Sequence, residues 1–505
     1  MLLTERHADE IEGVLSCFDR LVLSGTLVEF GHSSVATQEL MRRRIRIFDF
    51  PQFANVIREG IRAHAEALAT ENGVSIEFVR SSSVRKEDLV QRIVDRRGTD
   101  PGLVHILSAM ESCSSFQPWH DKQTGQTFLR PGSGKCLHYY FYFIDEEFGL
   151  CYLRVPTWAP FRLQFYCNGH NWLARQLAKR NIGFRQIENV FLSIDDAERA
   201  QKLVHGFSVK RLHRKLTRIV RQYCPVILDQ FQAGYHWSIM QAEFATDIVF
   251  RKPEDLTPLY DSLVRTAIHA VKADQVATFL GRKLHPRYAG EVGNHFQTRI
   301  QGTRIKHHMG WAGLKMYDKF GQILRIETVA NDVSFFKHHR RVEHRDGTWE
   351  MKLAPMRKTI YSIPALADLM CAANRRYLEF LSALEDASPG VRQLDRVTGP
   401  VREGERTYRG FNFLAEPDVE LLRTISRGEF TISGFQNKDL RRHLPGNDGR
   451  RISHLLKRLR THGLIKKIGH TYKYYLTQLG RRVAATVLKI REFIAIPGLA
   501  KPATV

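Results

Sequence analysis

The apolar positions near the C-terminal end of the chain predict two helices followed by a hairpin. A short helix is expected over 437–444 and a second over 450–462. The second helix places its apolar residues on one face: Ile452, Leu455, Leu456 and Leu459. The segments 464–468 and 472–476 then flank the turn Gly469-His470-Thr471, which predicts a two-stranded hairpin.

The same segment is strongly basic. Thirteen lysines and arginines lie between positions 438 and 482, against Asp439 and Asp448. The second helix, away from its apolar face, and the hairpin carry the candidate nucleic-acid-binding residues: Arg450, Arg451, His454, Lys457, Arg458, Lys466, Lys467 and Lys473. This order of elements with a cationic face predicts a winged helix-turn-helix that binds duplex nucleic acid. A protein-interaction module is the alternative, because winged helices also serve that role.

Two short motifs resemble the winged-helix domains of MarR-type regulators. They are His462-Gly463-Leu464-Ile465 and Leu476-Thr477-Gln478-Leu479-Gly480. The resemblance covers about a tenth of the chain and implies DNA binding by this part. Regulators of that kind are much shorter than 505 residues, so the long segment before the winged unit favours an additional activity.

The rest of the chain predicts a mixed α+β fold with a central β-rich body and flanking helices. Strands are expected at 103–107, 137–144, 150–155 and 162–167, whereas residues 201–280 have mainly helical patterns. Five segments follow: a mainly helical N-terminal region (1–100), a central nucleic-acid-binding or catalytic body (101–385), a linker rich in Gly, Pro and Arg (386–410), the winged helix-turn-helix (411–490) and a tail (491–505).

A predicted hairpin at 314–328 holds the clearest candidate chemistry outside the C-terminal unit. Its strands alternate, so Tyr317 and Lys319 point to one side of the first strand, and Arg325 and Glu327 to one side of the second. We therefore expect these four polar groups to converge. The alternative is an ion-paired hairpin in which Lys319 and Glu327 satisfy each other across the strands.

This hairpin resembles the Y-D-K and R-x-E hairpin of rolling-circle replication initiators of plasmids and filamentous phages. The resemblance implies that Tyr317 attacks or binds a DNA phosphate, that Lys319 and Arg325 clamp it, and that Glu327 binds Mg²⁺ or Mn²⁺. Asp318 and Asp145 are the further candidate metal ligands. The chain departs from the initiators' two-histidine metal pair, because adjacent residues such as His307-His308 point to opposite faces of a strand.

A second acidic set allows an RNase H-like interpretation. Asp145 and Asp195 or Asp196 end predicted strands, and Glu243 and Asp247 lie one helical turn apart. Together they would hold two metal ions around a phosphate. The alternative is that these carboxylates form turns and cap helices.

Composition and charge indicate what kind of partner the chain binds. The chain has 76 Lys and Arg against 53 Asp and Glu, a net charge of +23 and a pI near 9.8, which favours a polyanion. Neither an apolar run of 18 residues nor a secretory segment occurs, so we expect a cytoplasmic protein without a membrane partner. The seven cysteines include no C-x-x-C pair, which argues against a disulfide framework or zinc ribbon.

Three functional classes remain. The first is a nucleic-acid-processing protein of a mobile element, which we expect to be a metal-dependent nuclease or nicking enzyme. The others are a non-catalytic transcription regulator and a structured-RNA binder. The whole chain also resembles bacterial proteins of similar size that are named for a winged-helix end, through the stretches 168–177, 285–292 and 314–328. Duplex DNA is the favoured partner, RNA the alternative, and the oligomeric state is open.

Overall fold

A computed structural model describes residues 2–81, 83–285, 288–299, 302–385, 388–469 and 471–500. The chain divides into two compact units, Met1–Glu385 (unit 1) and Asp386–Val505 (unit 2). His470 of the predicted hairpin turn lies outside the described residues, as do Pro286 and Arg287 of the stretch 285–292. Each unit is described by itself below.

Unit 1 combines helices with one large sheet. Its helices are α1 (Leu3–Arg6), α2 (Ser33–Arg42), α3 (Phe50–Glu71), α4 (Lys86–Arg97), α5 (Gly169–Ala178), α6 (Ala197–His205), α7 (Val209–Tyr223), α8 (Pro225–Gln230), α9 (Pro253–Ala270), α10 (Ala273–Phe279) and α11 (Ile363–Glu385). Its strands are β1 (Ile11–Leu27), β2 (Ile76–Phe78), β3 (Gly102–His120), β4 (Thr127–Asp145), β5 (Gly149–Pro156), β6 (Leu163–Cys167), β7 (Phe184–Ile187), β8 (Val190–Ile194), β9 (Tyr235–Phe250), β10 (Val292–Arg299), β11 (Gly302–Met309), β12 (Ala312–Lys319), β13 (Ile323–Ala330), β14 (Lys337–Glu343) and β15 (Trp349–Pro355).

Eleven of these strands form the sheet, in the order β10-β11-β12-β13-β9-β1-β6-β5-β4-β3-β2. Neighbouring strands are antiparallel except β2 and β3, which are parallel. Two small hairpins, β7–β8 and β14–β15, lie outside it. The mixed α+β fold predicted from the sequence is confirmed at this level.

Strand β1 lies at the centre of the sheet, between β9 and β6. The sequence does not predict this strand, because residues 1–100 show mainly helical patterns beyond an apolar start. Leu15, Leu21 and Leu23 are buried within it. The N-terminal segment therefore contributes α2, α3 and α4 together with a central strand.

Strand β9 corrects the expectation of a mainly helical segment over 201–280. Glu243 and Asp247 were read as one helical turn apart, but they lie on this strand. A spacing of four residues places two side chains on the same side of either element. Residues 244–248 are all buried, so the strand lacks the alternation of a half-exposed one.

The hairpin predicted at 314–328 is present as β12 and β13. Its turn places Phe320 and Gly321 at φ of 60° and 71°. Gly321 adopts this left-handed conformation without a Cβ penalty. The register sets Lys315 opposite Glu327 and Tyr317 opposite Arg325.

Unit 2 has its own core. Its elements are α12 (Ser388–Thr398), β16 (Val401–Glu403), β17 (Arg406–Tyr408), α13 (Glu416–Ile425), α14 (Gly428–Ser433), α15 (Asn437–His443), α16 (Gly449–Thr461), β18 (Ile465–Lys467), β19 (Tyr474–Leu476), α17 (Gln478–Lys489), a π-helical turn (Ile490–Ala495) and α18 (Ile496–Ala500). The segment 386–410, where the sequence predicted a linker, contains α12 and the β16–β17 hairpin, with Val397 and Tyr408 buried. None of the described helices of the chain is long and apolar enough to cross a bilayer.

Candidate functional site

Four neighbouring strands, β12, β13, β9 and β1, bring polar side chains to one face of the sheet. Arg325 lies opposite Tyr317 on one side and opposite Asp247 on the other, and antiparallel partners share a face. The carboxylate cluster, as we call it, consists of Asp19, Glu243, Asp247, Glu327 and the residues that contact them: His170, Lys315, Tyr317 and Arg325.

Arg325 is the fully buried centre of the carboxylate cluster. Its Nε and Nη2 donate to the two Asp247 carboxylate oxygens at 2.6 and 2.7 Å, and its Nη1 lies 3.1 Å from Asp19 Oδ1. A guanidinium enclosed in this way has no face left for a phosphate. The role of phosphate clamp predicted for Arg325 is therefore wrong, and its charge holds two carboxylates in place.

Asp19 enters the cluster through an irregularity of β1. The pairing with β9 shifts between Phe18 and Arg20, so Asp19 bulges out of the register. Its Oδ1 lies 3.3 Å from His170 Nδ1. Burial raises the pKa of Asp19, but the Arg325 guanidinium and His170 outweigh it and hold that pKa well below its usual range.

His170 reaches the cluster from the first turn of α5. The side chain of Asn168 caps this helix by accepting the His170 N–H, and it also donates to the Asp19 carbonyl. His170 Nε2 lies 3.2 Å from Asp247 Oδ2. Burial lowers the pKa of His170, but Cys17, Asp19 and Asp247 raise it well above its usual value. The imidazole thus lies between two carboxylates that favour its charged form.

Glu243 and Glu327 form a carboxyl pair that shares a proton. Burial and the hydrogen bond to Glu243 raise the pKa of Glu327 to about 8. Burial also raises the pKa of Glu243, but its hydrogen bond with Glu327 and the charge of Lys315 bring it below the usual value. Lys315 Nζ lies 3.3 Å from a carboxylate oxygen of each. At neutral pH the proton therefore resides mainly on Glu327.

Tyr317 is hydrogen-bonded to this pair. Its hydroxyl donates to Glu327 Oε2 at 2.9 Å. Burial and the neighbouring Glu327 charge raise the pKa of Tyr317 well above its usual value. The phenol is therefore protonated and directed at a carboxyl group of high pKa.

Three carboxylates of the cluster have the arrangement of a cation site. Asp19, Glu243 and Glu327 each offer an oxygen within 4.8 Å of the others. Carboxylate oxygens are the ligands that Mg²⁺ and Mn²⁺ prefer. A cation would also replace the proton that Glu327 otherwise holds. The donor set therefore fits such an ion.

Lys319 lies at the edge of the carboxylate cluster. It donates to Asn189 Oδ1 and lies 3.4 Å from Glu188 Oε2, both in the β7–β8 connection. The cross-strand ion pair expected between Lys319 and Glu327 is replaced by one between Lys315 and Glu327. Lys315 is the residue directly opposite Glu327 in the register, which explains the difference.

Two predicted metal ligands lie elsewhere. Asp318 alternates with Tyr317 along β12 and so points away from the carboxylate cluster; burial raises its pKa to about 6. Asp145 accepts the N–H groups of Glu147 and Phe148 at 2.9 and 3.1 Å and pairs with Lys215 at 2.7 Å. It is a turn former, and neither residue belongs to the acidic trio.

The other members of the RNase H-like set also have structural roles. Asp196 caps α6 by accepting the Arg199 N–H at 2.8 Å. Asp247 is occupied by Arg325 and His170. Only Glu243 of that set joins the acidic trio found among the described residues.

Unit 2 presents much of its predicted basic surface to solvent. In α16 the exposed residues include Arg450, Arg451 and His454, and in the hairpin β18–β19 with its flanks Lys466, Lys467 and Lys473. α15 and α16 precede the hairpin, and Phe435 forms an isolated antiparallel bridge with Tyr474 of β19. The predicted helices and hairpin therefore occur in the predicted order.

Arg458 differs from the other predicted nucleic-acid-binding residues of unit 2, because it is buried. It is 1% exposed, and its Nη1 and Nη2 donate to the Asp418 carboxylate at 2.7 and 2.9 Å. Along α16 it borders the apolar face of the helix, where α13 supplies Asp418. Arg458 therefore joins two helices of unit 2 and cannot contact a nucleic acid.

Lys457 is partly engaged by the segment before it. Glu403 of β16 accepts from Lys457 Nζ, from Thr461 and, at 3.2 Å, from Arg460 Nη2. The hydrogen bonds of Lys457 and Thr461 lower the pKa of Glu403 to about 2. This carboxylate covers the C-terminal half of the cationic face of α16, whereas Arg450 and Arg451 stay open.

Sequence reasoning found Tyr317 and Glu327 but missed Asp19, His170 and Lys315. Asp19 had a signal, since it is an aspartate within the apolar run of β1. Lys315 lies two residues before Tyr317 and shares its face. His170 had no signal of its own, because only the tertiary fold brings it near the hairpin.

Comparison with known proteins gives little additional information. Neither a protein-family model nor a curated protein matches the chain. A solved structure of a rolling circle replication initiator protein from Geobacillus stearothermophilus is similar at 10% sequence identity and a TM-score of 0.19, covering 63% of this chain and 74% of that one. At this identity and TM-score the likeness establishes neither the fold nor the activity of the chain.

Proposed function

We propose that this protein nicks DNA at the carboxylate cluster with Tyr317 as the nucleophile. The observation that carries the proposal is the hydrogen bond from the Tyr317 hydroxyl to Glu327, one of three carboxylates whose oxygens lie within 4.8 Å of one another. The net charge of +23 supports a polyanionic substrate. The local resemblance of this hairpin to rolling-circle initiators supports a role in a mobile element.

The proposed step transfers a phosphoryl group to tyrosine. A bond forms between the Tyr317 oxygen and phosphorus, and one P–O ester bond of the DNA strand breaks. The Tyr317 proton passes to deprotonated Glu327, and the leaving sugar oxygen takes a proton from water to become a hydroxyl group. The hydrogen bond of 2.9 Å from the Tyr317 hydroxyl to Glu327 Oε2 places the deprotonated carboxylate to take this proton.

Asp19, Glu243 and Glu327 would hold a divalent cation, Mg²⁺ or Mn²⁺. When bound, the cation neutralises charge on the phosphate. Arg325 and His170 fix the direction of Asp19 from the buried side. Lys315, which otherwise neutralises Glu243 and Glu327, and Lys319 would then be free to contact an incoming phosphate.

We further propose that unit 2 is a winged helix-turn-helix of the MarR kind that binds duplex DNA. α16 is the recognition helix and β18–β19 the wing. The exposed Arg450, Arg451 and His454 support this, together with the exposed lysines of the hairpin segment. Unit 2 would bring duplex DNA to the protein, and unit 1 would act on a strand of it.

One observation favours a second candidate function, binding without cleavage. Lys315 lies 3.3 Å from both Glu243 and Glu327 and balances their charge without a metal ion. In that case the cluster is structural, and the protein is a transcription regulator or a structured-RNA binder. The two candidates differ in whether metal-dependent nicking occurs.

The test is incubation of the full chain with supercoiled plasmid and with single-stranded DNA, in Mg²⁺, in Mn²⁺ and in EDTA. We expect nicking that requires metal and that is lost in Tyr317→Phe and in Glu327→Ala. A DNA adduct on Tyr317, identified by mass spectrometry of the digested protein, would establish the nucleophile.

Tyr361→Phe is the matched control, because Tyr361 is an exposed tyrosine of unit 1 that bonds to His213 outside the cluster. It should nick like the wild type. If the wild type binds DNA but never nicks it with either metal, the catalytic proposal is wrong and the binding function stands. Equal nicking by Tyr317→Phe would instead exclude tyrosine as the nucleophile.

A further inference from the structure

A basic groove runs along one side of unit 1, at the C-terminal end of α5. Two adjoining cavities of about 360 and 260 Å³ form it and share Glu147 and Arg211. We call it the α5–α7 groove. Its cations come from α7, from α6 and from the end of α5: Lys179, Arg180, Lys202, Arg211, Arg214, Lys215 and Arg218. Glu146 and Glu147 are the acidic residues of its lining.

Most cations of the groove have no carboxylate partner among the described residues. Arg211 pairs with Glu147 at 2.9 Å and Lys215 pairs with Asp145 at 2.7 Å. The other five cations of the groove have no carboxylate within 4 Å among the residues that the structure describes: Lys179, Arg180, Lys202, Arg214 and Arg218. All five are exposed.

The sequence of α7 explains why these cations face outward. The helix buries an apolar stripe that includes Leu212, Leu216 and Ile219 and contains no acidic residue. Arg214 and Arg218 are one turn apart, so they form a row along the groove. Two arginines at this spacing without carboxylate partners destabilise the folded helix, because like charges one turn apart repel. Such a row suits a ligand with several negative charges.

Three aromatic residues line both the groove and a neighbouring apolar cavity. Phe148, Trp172 and Phe207 line the groove and also a cavity of about 420 Å³. The Phe207 ring lies 5.2 Å from the Trp172 ring and 6.3 Å from the Phe148 ring. The cavity is also lined by Phe18 and Phe244, and its volume is in the range of roughly 300 to 1,000 Å³ typical of small-molecule sites.

We propose that the α5–α7 groove binds single-stranded nucleic acid, with phosphates along the row of cations and an unstacked base in the apolar cavity. Cationic grooves bordered by aromatic side chains bind single strands in this way, since each base has a face for stacking. A duplex keeps its bases stacked and paired, so it would leave the cavity unused. DNA and RNA strands share the phosphate and base chemistry recognised here.

The groove is linked to the carboxylate cluster through α5. His170, in the first turn of this helix, contacts Asp19, and Lys179 directly follows its last residue. Ten residues of α-helix span about 15 Å. A strand in the groove would therefore lie about one helix length from the cluster. The proposal does not depend on nicking, because strand binding is measured here without any metal.

The experiment uses the full chain, EDTA and fluorescent oligo(dT) or oligo(U), with excess unlabelled duplex to occupy sites that accept duplex. We expect Arg214→Ala/Arg218→Ala to weaken strand binding about tenfold or more. For this double variant, the slope of log affinity against log salt concentration should be smaller in magnitude by about 1.4. Each phosphate contact to a single strand contributes about 0.7 to that slope, and two contacts are removed. Binding of oligo(dT), of oligo(U) or of both supports the proposal and identifies the type of strand.

Arg92→Ala/Arg96→Ala is the matched control. These exposed arginines are also one turn apart, on α4, and have no carboxylate partner among the described residues. The control should bind strands like the wild type. An equal loss in both double variants would show a general charge effect and overturn the proposal, as would strand binding that excess duplex abolishes.

A second variant tests the base cavity. Phe207→Leu keeps an apolar side chain but removes the ring, and it should weaken oligo(dT) binding about fivefold or more. An abasic oligonucleotide of the same length should bind this variant and the wild type equally. Parallel losses for the two oligonucleotides would exclude a base in the cavity.

Discussion

Arg325 and Asp247 face each other on adjacent strands and form a two-pronged ion pair with N–O distances of 2.6 and 2.7 Å. Both side chains are buried, at 0% and 2% exposure. The pair ties β13 to β9 beneath the candidate site. Arg325 also contacts Asp19 and Asp247 also contacts His170, so the position of the candidate ligand Asp19 depends on a buried ion pair whose own members are not candidate ligands.

Arg325→Met should destabilise unit 1 strongly. Removing one member of a buried ion pair typically costs about 3 to 5 kcal/mol, because the partner charge stays buried without compensation. Here Asp247 and Asp19 would both lose the guanidinium. Urea unfolding measures the effect. Arg341→Met, at an exposed arginine of β14, should change the free energy of unfolding by less than about 0.5 kcal/mol; similar losses in the two variants would contradict the assignment.

Glu327→Gln should change how stability depends on pH. The pKa of Glu327 is about 8 in the folded chain and near 4.5 when unfolded, so the folded state binds the extra proton between these values. The contribution of Glu327 to the free energy of unfolding is therefore fully present below pH 4.5 and is lost as the pH rises through 8. Glutamine does not titrate, so relative to the wild type the variant should gain roughly 1 to 3 kcal/mol between pH 5 and pH 8. The measurement is urea unfolding of both proteins in EDTA across this range, and parallel curves would contradict the shared proton.

Arg458 and Arg451 should respond in opposite ways to replacement by methionine. Arg458→Met removes a buried pair with Asp418 and should cost unit 2 about 3 to 5 kcal/mol. Arg451→Met changes an exposed residue and should cost less than about 0.5 kcal/mol, while it weakens duplex binding. Thermal unfolding and duplex titration on the same samples separate the two effects. Weaker binding by a folded Arg458→Met protein together with unchanged binding by Arg451→Met would reverse the assignment.

Glu403→Gln should strengthen duplex binding. The carboxylate now engages Lys457, Arg460 and Thr461 on α16, and its loss would free two cations for phosphate. We expect about threefold tighter binding at low salt and a smaller gain at high salt. Glu405→Gln makes the same charge change in the turn of the same hairpin, where Glu405 is exposed, and should have the smaller effect. Equal gains from both would show that only net charge matters.

Local features of the fold followed well from the sequence. The helix predicted over 450–462 is α16, and the hairpin predicted at 314–328 is formed by β12 and β13. Both are determined by residues close in sequence. The contact between Tyr317 and Glu327 was accessible for the same reason, since a hairpin places them side by side.

The members of the carboxylate cluster that lie outside the hairpin could not be predicted without the tertiary fold. Asp19 and His170 come from β1 and α5, far from the hairpin in sequence, and no periodicity relates them to it. Strand β9 was misread because its burial on both faces removes the alternation that marks a strand. Arg325 was misjudged because its charge suggested a surface role, whereas two acidic neighbours stabilise it inside.

The central position of β1 also constrains how unit 1 assembles during synthesis. β1 is synthesised before both of its partners, since β6 begins only at Leu163 and β9 only at Tyr235. Closing the long loops between β1 and these partners costs conformational entropy before the strand pairing can stabilise the chain. The nascent chain therefore carries an unpaired apolar strand until β6 and then β9, which ends at Phe250, have been synthesised, and a chaperone that shields residues 11–27 should raise the yield of native protein.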